Sequence, residues 1–119
     1  MRAYELMVIL DGELDDNVVH GEFDKIAKQA TDHGGTVATT DIWGRRQFAY
    51  QIDHKNDGHY AVFEILAEGG GLDSLDRALR LADQVVRHKL IRLPDVEAAR
   101  RGLLGGTPAE AGTGATSND

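Results

Sequence analysis

The stretch that decides the fold is the first apolar segment of the chain, residues 3–10, which read AYELMVIL. Side chains at alternate positions form two sets, and this period of two is typical of a β-strand. Both sets are largely apolar, so both faces of the strand have to be covered by other parts of the protein. We therefore predict a central strand that ends at Asp11-Gly12.

Two helices and three further strands are predicted after it. Apolar residues at steps of three and four indicate a helix that begins at the N-cap candidates Asp15, Asp16 and Asn17 and ends at His33-Gly34-Gly35. Residues 36–52 are rich in β-branched and aromatic side chains and predict a long strand with a bulge near Gly44. The remaining elements are a polar turn at 53–58, a strand at 59–67, a helix at 72–82, a strand at 85–93 and a helical turn at 95–101.

The resulting order is β-α-β-β-α-β, which predicts an α+β, ferredoxin-like fold: a four-stranded antiparallel sheet with two helices on one face. Several apolar residues should then alternate away from the helices. They are Met7, Ile9, Tyr60, Val62, Leu66 and Ile91. An uncovered apolar face is typical of an interaction site, for a second copy of the chain or for a different partner.

The domain organisation follows from composition. Residues 1–95 form the predicted domain, and residues 96–119 are a C-terminal extension rich in Gly, Ala, Thr and Ser. We expect this extension to be mostly disordered when free, and deletion of residues 102–119 to leave the fold intact.

Length and charge exclude several classes of protein. The chain has 119 residues, no cysteine and a net charge of −7, from 13 Lys and Arg against 20 Asp and Glu. No apolar run is long enough to span a bilayer, and no secretory leader is recognisable, so we expect a cytoplasmic protein. The acidic balance argues against indiscriminate nucleic-acid binding, but residues 77–101 carry seven basic and three acidic side chains. A polyanion would have to meet a local basic patch.

Catalytic and metal-binding patterns are weak. None of the five histidines forms the helical pair of a zinc enzyme, Ser74 and Ser117 have no base placed by the sequence, and residues 69–71 lack the lysine of a phosphate-binding loop. His54 and His59 could approach each other with a neighbouring aspartate around a metal, although a polar turn explains them as well. We predict no enzyme, no metal and no cofactor, with a small enzyme of this fold as a minor alternative.

A basic and aromatic segment stands out at residues 42–52, IWGRRQFAYQI. Guanidinium groups pair with phosphate oxygens, and aromatic rings stack on unpaired bases. At a bulge, Arg45 and Arg46 need not alternate, so we expect both to face one groove. Alternatively, the arginines are simply solvated and the aromatic rings belong to the core. A second basic group comprises Arg87, Lys89 and Arg92, and with Arg2 we expect the basic residues to converge around one edge of the sheet.

At these residues the chain resembles a known family, that of the sixth protein of the bacterial small ribosomal subunit. The similarity lies in an opening Met1-Arg2-Ala3-Tyr4-Glu5 and in the pair Gly34-Gly35. It extends to a signature through Gly44, Arg46, Ala49, Tyr50 and Ile52, and to the last strand from Asp83 to Arg87. It covers residues 1–94 in the element order predicted above.

The resemblance implies a structural protein that binds small-subunit ribosomal RNA. It implies that the chain does so as a heterodimer with the small basic eighteenth protein of that subunit, without a membrane or a small-molecule substrate. The implied RNA-binding residues are Arg2, Arg46 and Arg87, to which charge and placement add Arg45, Lys55 and Arg92. The expected partner-binding residues are Trp43, Tyr50, Tyr60 and Asp95. The alternative is a ferredoxin-like ligand-binding or regulatory module that self-associates through its apolar sheet face.

Overall fold

The computed structural model describes residues 1–104. Its fold is built around a central strand. The strands are β1 (Arg2–Asp11), β2 (Thr36–Ile52), β3 (Lys55–Ala67) and β4 (Val85–Arg92), and the helices are α1 (Asp16–Asp32), α2 (Asp73–Leu81) and α3 (Asp95–Arg100). The strands form one antiparallel sheet in the order β2-β3-β1-β4. The predicted ferredoxin-like fold and the central position of β1 are therefore confirmed.

The main core lies between the sheet and the two long helices. Leu6, Val8 and Leu10 of β1 are fully buried and belong to the same cluster as Phe63 of β3. The helices contribute their apolar stripes, which are Val19, Phe23, Ile26 and Ala30 of α1 and Leu75 and Leu79 of α2. Phe23 meets Phe63 edge to face, with ring centroids 6.1 Å apart.

The opposite face of the sheet, which we call the open face, carries the other alternating set. Pairing across the strands places Met7 beside Val62, Ile9 beside Tyr60, and Glu5 beside Ile91. The predicted set of residues that alternates away from the helices is thus correct. Ile9 is only 2% exposed although neither long helix lies on this face, and it pairs with Tyr60 of β3.

The hairpin between β2 and β3 is tighter than predicted. The predicted polar turn at 53–58 shrinks to two residues, since Ile52 pairs with Lys55. Asp53 and His54 both adopt positive φ angles, of 51° and 63°. Two left-handed central residues are the geometry of the two-residue turn that matches the twist of a hairpin, so residues 55–58 continue β3 instead of forming a loop.

The segment after β4 forms a short helix, α3, which begins at the predicted domain boundary. Pro94 is the N-cap of α3, whose Ala98 is buried with Ala3 and Leu93. Leu103 and Leu104 are partly buried against the same cluster. Residues 105–119 of the predicted extension lie outside the described residues, so its disorder when free stays a prediction.

Helix α2 is attached to β4 by a polar contact as well as by the core. The Asp76 carboxylate lies 2.7 Å from Nε2 of His88, whose side chain is only 11% exposed. Asp76 also accepts a hydrogen bond from Arg80 one turn later. Because Asp76 belongs to α2 and His88 to β4, the Asp76–His88 pair links the helix layer to an edge strand.

We expect Phe63→Ala to lower the free energy of unfolding by about 3–5 kcal/mol, since it removes a fully buried ring and leaves a cavity. Urea denaturation measures this. Tyr50→Ala is the matched control, because Tyr50 is 72% exposed, and it should stay within about 0.5 kcal/mol. Similar losses in the two variants would contradict this assignment of the core.

Asp76→Ala should lower the free energy of unfolding by about 1–2 kcal/mol, because His88 then loses a charged hydrogen-bond partner. Asp73→Ala removes an exposed carboxylate from the same first turn of α2 and controls for the helix dipole. Thermal unfolding of the two variants side by side checks the contact. If both variants lose the same stability, the dipole and not the His88 contact is responsible.

Candidate nucleic-acid and partner interface

An aromatic group occupies the open face where β2 bends. The Trp43 ring stacks on Tyr60 of β3, with centroids 5.8 Å apart and planes 5° apart. Phe48 meets the edge of the same Tyr60 ring at 6.2 Å. Trp43 remains 43% exposed, and its Nε1 donates a hydrogen bond of 3.0 Å to Asp41. Two of the predicted partner-binding residues, Trp43 and Tyr60, therefore form one surface, and Phe48 joins them.

The bend itself is the predicted bulge. The pairing of β2 with β3 shifts between Ile42 and Gly44, and Gly44 has a φ of 91°, where a side chain would be strained. The shift brings Trp43 over Tyr60. Beyond it, Arg46 pairs with Gly58, and its guanidinium carbon lies 5.5 Å from the centre of the Trp43 ring. A cation in that position is attracted to the ring face while its N–H groups remain available to phosphate.

Arg45 and Arg46 do not face one groove, contrary to our expectation. The bulge precedes both residues, and regular pairing resumes at Gly44 with Tyr60, so the side chains of Arg45 and Arg46 alternate between the faces. Arg45 therefore points to the helix side. Its Nη2 donates a hydrogen bond of 2.6 Å to the Gly12 carbonyl, and its Nε lies 3.2 Å from the Asp57 carboxylate. Arg45 connects β2 to the loop that follows β1.

Lys55 also has an ion-pair partner within the protein. Its Nζ lies 3.0 Å from the Asp11 carboxylate at the end of β1. The pKa of Asp11 is lowered, mainly because the Glu13 backbone N–H donates to it and also because Lys55 pairs with it. The pKa of Lys55 is raised by the same carboxylate. Two of the predicted RNA-binding cations thus have anionic partners near the base of the hairpin.

Arg87 and Lys89 lie on the open face of the edge strand β4. Arg87 pairs with Ile9 and Lys89 with Met7, both of which face away from the helices. Within residues 1–104, no carboxylate lies within 4 Å of the charged groups of Arg46, Arg87 or Lys89. Lys89 belongs to the second basic group predicted from the sequence but not to the predicted RNA-binding set. Its spacing of two residues from Arg87 on a predicted strand is the sequence signal that places both side chains on the same face.

The basic residues do not converge around one edge of the sheet, which corrects a second expectation. The strand order places β2 and β4 at opposite edges with two strands between them, so the open-face cations Arg46 and Arg87 are about 15 Å apart along the sheet. Arg2 and Arg92 lie on the helix side at the other end of β1, about 30 Å from Arg46. Arg92 lies 3.7 Å from Asp95, at the start of α3.

The remaining candidates are scattered. Tyr50 is exposed on the hairpin arm beyond Phe48, and Asp95 lies at the far end of the sheet from Trp43. His59 is buried, and its Nε2 has no hydrogen-bond partner in the described part of the chain. No group of three or more His, Asp or Glu side chains within residues 1–104 is arranged to hold a metal ion. None of the helices in that range is long and apolar enough to cross a membrane.

Comparison with known proteins identifies one family. A family model described as ribosomal protein S6 matches residues 3–92. The small ribosomal subunit protein bS6 of Leifsonia xyli is 44% identical over 98 residues, which cover 82% of this chain and 77% of the relative. The bS6 protein of Salinispora tropica is 46% identical over 96 residues, which cover 81% of this chain and 99% of the relative.

A solved structure shares the architecture. The crystal structure of 30S ribosomal protein S6 from Thermotoga maritima superposes with a TM-score of 0.79 at 25% identity, covering 85% of this chain and 95% of that chain. The family model spans nearly all of the sheet and both long helices, and ends at Arg92. The sequence match and the shared fold together show that this chain belongs to the ribosomal protein S6 family.

Proposed function

We propose that this chain binds small-subunit ribosomal RNA as a heterodimer with the basic eighteenth protein of the same subunit. Family membership makes it a non-enzymatic constituent of the small subunit of the cytoplasmic ribosome. The RNA contacts and the partner are the proposed part. The observation that carries the proposal is that the open face presents cations without carboxylate partners within residues 1–104: Arg46 beside the exposed Trp43 ring on β2, and Arg87 and Lys89 on β4, across the sheet.

Cations without carboxylate partners are the best candidates for phosphate contacts. A guanidinium that already pairs with a carboxylate must share that partner or give it up before it can bind phosphate. We therefore rank Arg46 and Arg87 above Arg45 and Lys55, whose charges are held by Asp57 and Asp11. Lys89 joins the first group. Arg2 and Arg92 would form a separate contact at the other end of the sheet.

The aromatic group suits a protein or a nucleic-acid partner, because both an apolar side chain and a base can pack on a flat ring. The exposed face of Trp43 offers a flat apolar surface, and Tyr60 supports it from below. We keep Trp43 and Tyr60 as the main proposed partner contacts. Tyr50 and Asp95 stay as outlying ones, since they lie apart from this group.

The net charge explains why a partner is needed. Electrostatic affinity for RNA grows with the number of phosphates neutralised, and a chain with a charge of −7 repels a polyanion over most of its surface. A basic partner would supply the missing positive charge and would itself be attracted to the acidic remainder of this protein.

We expect the isolated protein to bind ribosomal RNA weakly, and the basic partner to raise its affinity at least 100-fold at physiological salt. Filter binding with and without the eighteenth protein, at several salt concentrations, measures this. The partner alone is the control, because its own RNA binding has to be subtracted. Tight binding that needs no partner would contradict the proposal.

A second prediction separates the neighbouring arginines. With the partner present, Arg46→Ala should weaken RNA binding by about 1–3 kcal/mol at low salt and reduce the salt slope by about one unit, because one phosphate contact is lost. Arg45→Ala should change RNA affinity less, since its guanidinium is held by Gly12 and Asp57. The double variant should resemble Arg46→Ala.

The same two single variants also test what each arginine contributes to the folded state. Arg45→Ala should lower the melting temperature slightly, because it removes the link between β2 and the loop after β1, while Arg46→Ala should leave it nearly unchanged. An unchanged salt slope in the Arg46 variant would mean that Arg46 does not touch phosphate. The proposed RNA contact would then move to Arg87 and Lys89 on β4.

A further inference from the structure

The segment that follows β4 lies across one end of the open face. We call residues 95–104 the strap; it consists of α3 and the four residues after it. Its Ala98 packs on Ala3, which is fully buried, and Leu103 and Leu104 pack near Leu66. The turn at Gly102, with a φ of 76°, lets the Leu103 N–H bond back to the Ala98 carbonyl at 2.8 Å. The family model ends before the strap begins.

One arginine holds the strap to the sheet. Nη1 of Arg101 lies 3.1 Å from Glu5 of β1 and 2.8 Å from Glu64 of β3. Its Nε lies 2.7 Å from Glu97 within the strap itself. Burial alone would lower the pKa of Arg101, but hydrogen bonds to the three carboxylates outweigh it and raise that pKa. Arg101 is therefore a permanently charged bridge between the strap and two strands.

The site beneath Arg101 is acidic in its own right. Glu5 and Glu64 are direct partners across the β1–β3 pairing and share the open face, where two like charges repel each other. Thr39 donates a hydrogen bond of 2.8 Å to Glu64 and so helps to fix that carboxylate. Without a cation between them, the two glutamates would destabilise the sheet. This end of the open face thus favours a nearby cation, whether it comes from the strap or from elsewhere.

The open face is consequently divided by charge. Its Trp43 end carries Arg46, Arg87 and Lys89, and its strap end carries Glu5 and Glu64. RNA phosphates suit the first end and are repelled by the second. A basic protein segment suits the second end, particularly one that combines a cation with apolar side chains, as the strap does.

We propose that the strap occupies, in the free protein, the docking site of a basic and partly apolar segment of the protein partner. On assembly, an arginine or lysine of that segment replaces Arg101 between Glu5 and Glu64, and apolar side chains of the segment replace Leu103 and Leu104 against Ala3 and Leu66. This inference rests on the proposed function, because its occupant is the basic partner named there.

Two features make the exchange feasible. The strap is held mainly by a small apolar contact and by ion pairs that are partly open to solvent, and such pairs contribute little to stability. A cleft of about 600 Å³ already lies beside it. That cleft is lined by Met1, Leu66, Asp95, Ala99, Leu103 and Leu104. An incoming apolar side chain can enter there before the strap leaves.

The test compares neighbouring arginines of the full-length chain. Arg101→Glu should detach the strap and raise the affinity for the eighteenth small-subunit protein at least threefold, because the site no longer has to be vacated. Arg100→Glu makes the same change of charge at a residue whose one ion pair within residues 1–104 is with Glu97, and it should stay within twofold of the parent. Isothermal titration calorimetry measures both. An affinity for Arg101→Glu equal to or below that of Arg100→Glu overturns the inference.

The two glutamates of the proposed docking site are tested separately. Glu5→Gln with Glu64→Gln should weaken binding of the same protein at least tenfold. Glu13→Gln with Asp24→Asn removes two exposed carboxylates elsewhere and should have a much smaller effect. Equal losses in the two double variants overturn the inference. A change in RNA affinity without a change in protein affinity means that RNA is the occupant, and this also overturns it.

A measurement without any partner distinguishes this inference from the proposed function. Amide hydrogen exchange of residues 97–104 should be faster in Arg101→Glu than in the parent or in Arg100→Glu. Leu103→Ser with Leu104→Ser releases the apolar part of the strap and replaces Arg101→Glu if that variant is unfolded by circular dichroism. Unchanged exchange overturns the inference alone, whereas absence of any binding by the parent chain overturns the proposed function and the inference together.

Discussion

The burial of β1 on both faces is the constraint on which the rest of the structure depends. Leu6, Val8 and Leu10 face the helices, while Ala3 and Ile9 face the other way, and all five are at most 2% exposed. A strand that is apolar on both sides must be central and must be covered twice. The helices provide one cover for the whole length of the strand. On the open face the cover is assembled from shorter pieces, and those pieces coincide with the candidate interaction surface.

Those pieces differ in charge as well as in shape. At one end, the bulge at Gly44 brings Trp43 over Tyr60 and leaves Arg46 above the indole ring. At the other end, the strap covers Ala3 and neutralises two glutamates through Arg101. A backbone bulge and the segment after β4 therefore cover parts of a face that the two long helices leave open. An acidic protein can in this way present a local basic surface while keeping acidic sites for a basic partner.

Ion pairing decides which cations remain available to a ligand. Arg45 and Lys55 are basic by sequence, yet they bind Asp57 and Asp11, and together with the Arg45–Gly12 hydrogen bond they tie the hairpin to the end of β1 and the loop after it. Arg87 and Lys89 have no such partner within residues 1–104. The distinction matters more for RNA binding than the number of basic residues, because a paired guanidinium must first lose or share its carboxylate.

The sequence by itself determined the element order, the central position of β1, the bulge near Gly44 and which apolar side chains face away from the helices. These features follow from local periodicity, glycine chemistry and the alternation of a strand, so they are readable without tertiary contacts. Only the tertiary structure decided that Arg45 and Arg46 point to opposite faces, that the basic residues lie on two edges and at two ends, and that Arg101 meets Glu5 and Glu64. The first depends on strand register, because a shift of one residue reverses the face of every side chain. The second depends on strand order. The third depends on contacts between residues more than 30 positions apart in the chain.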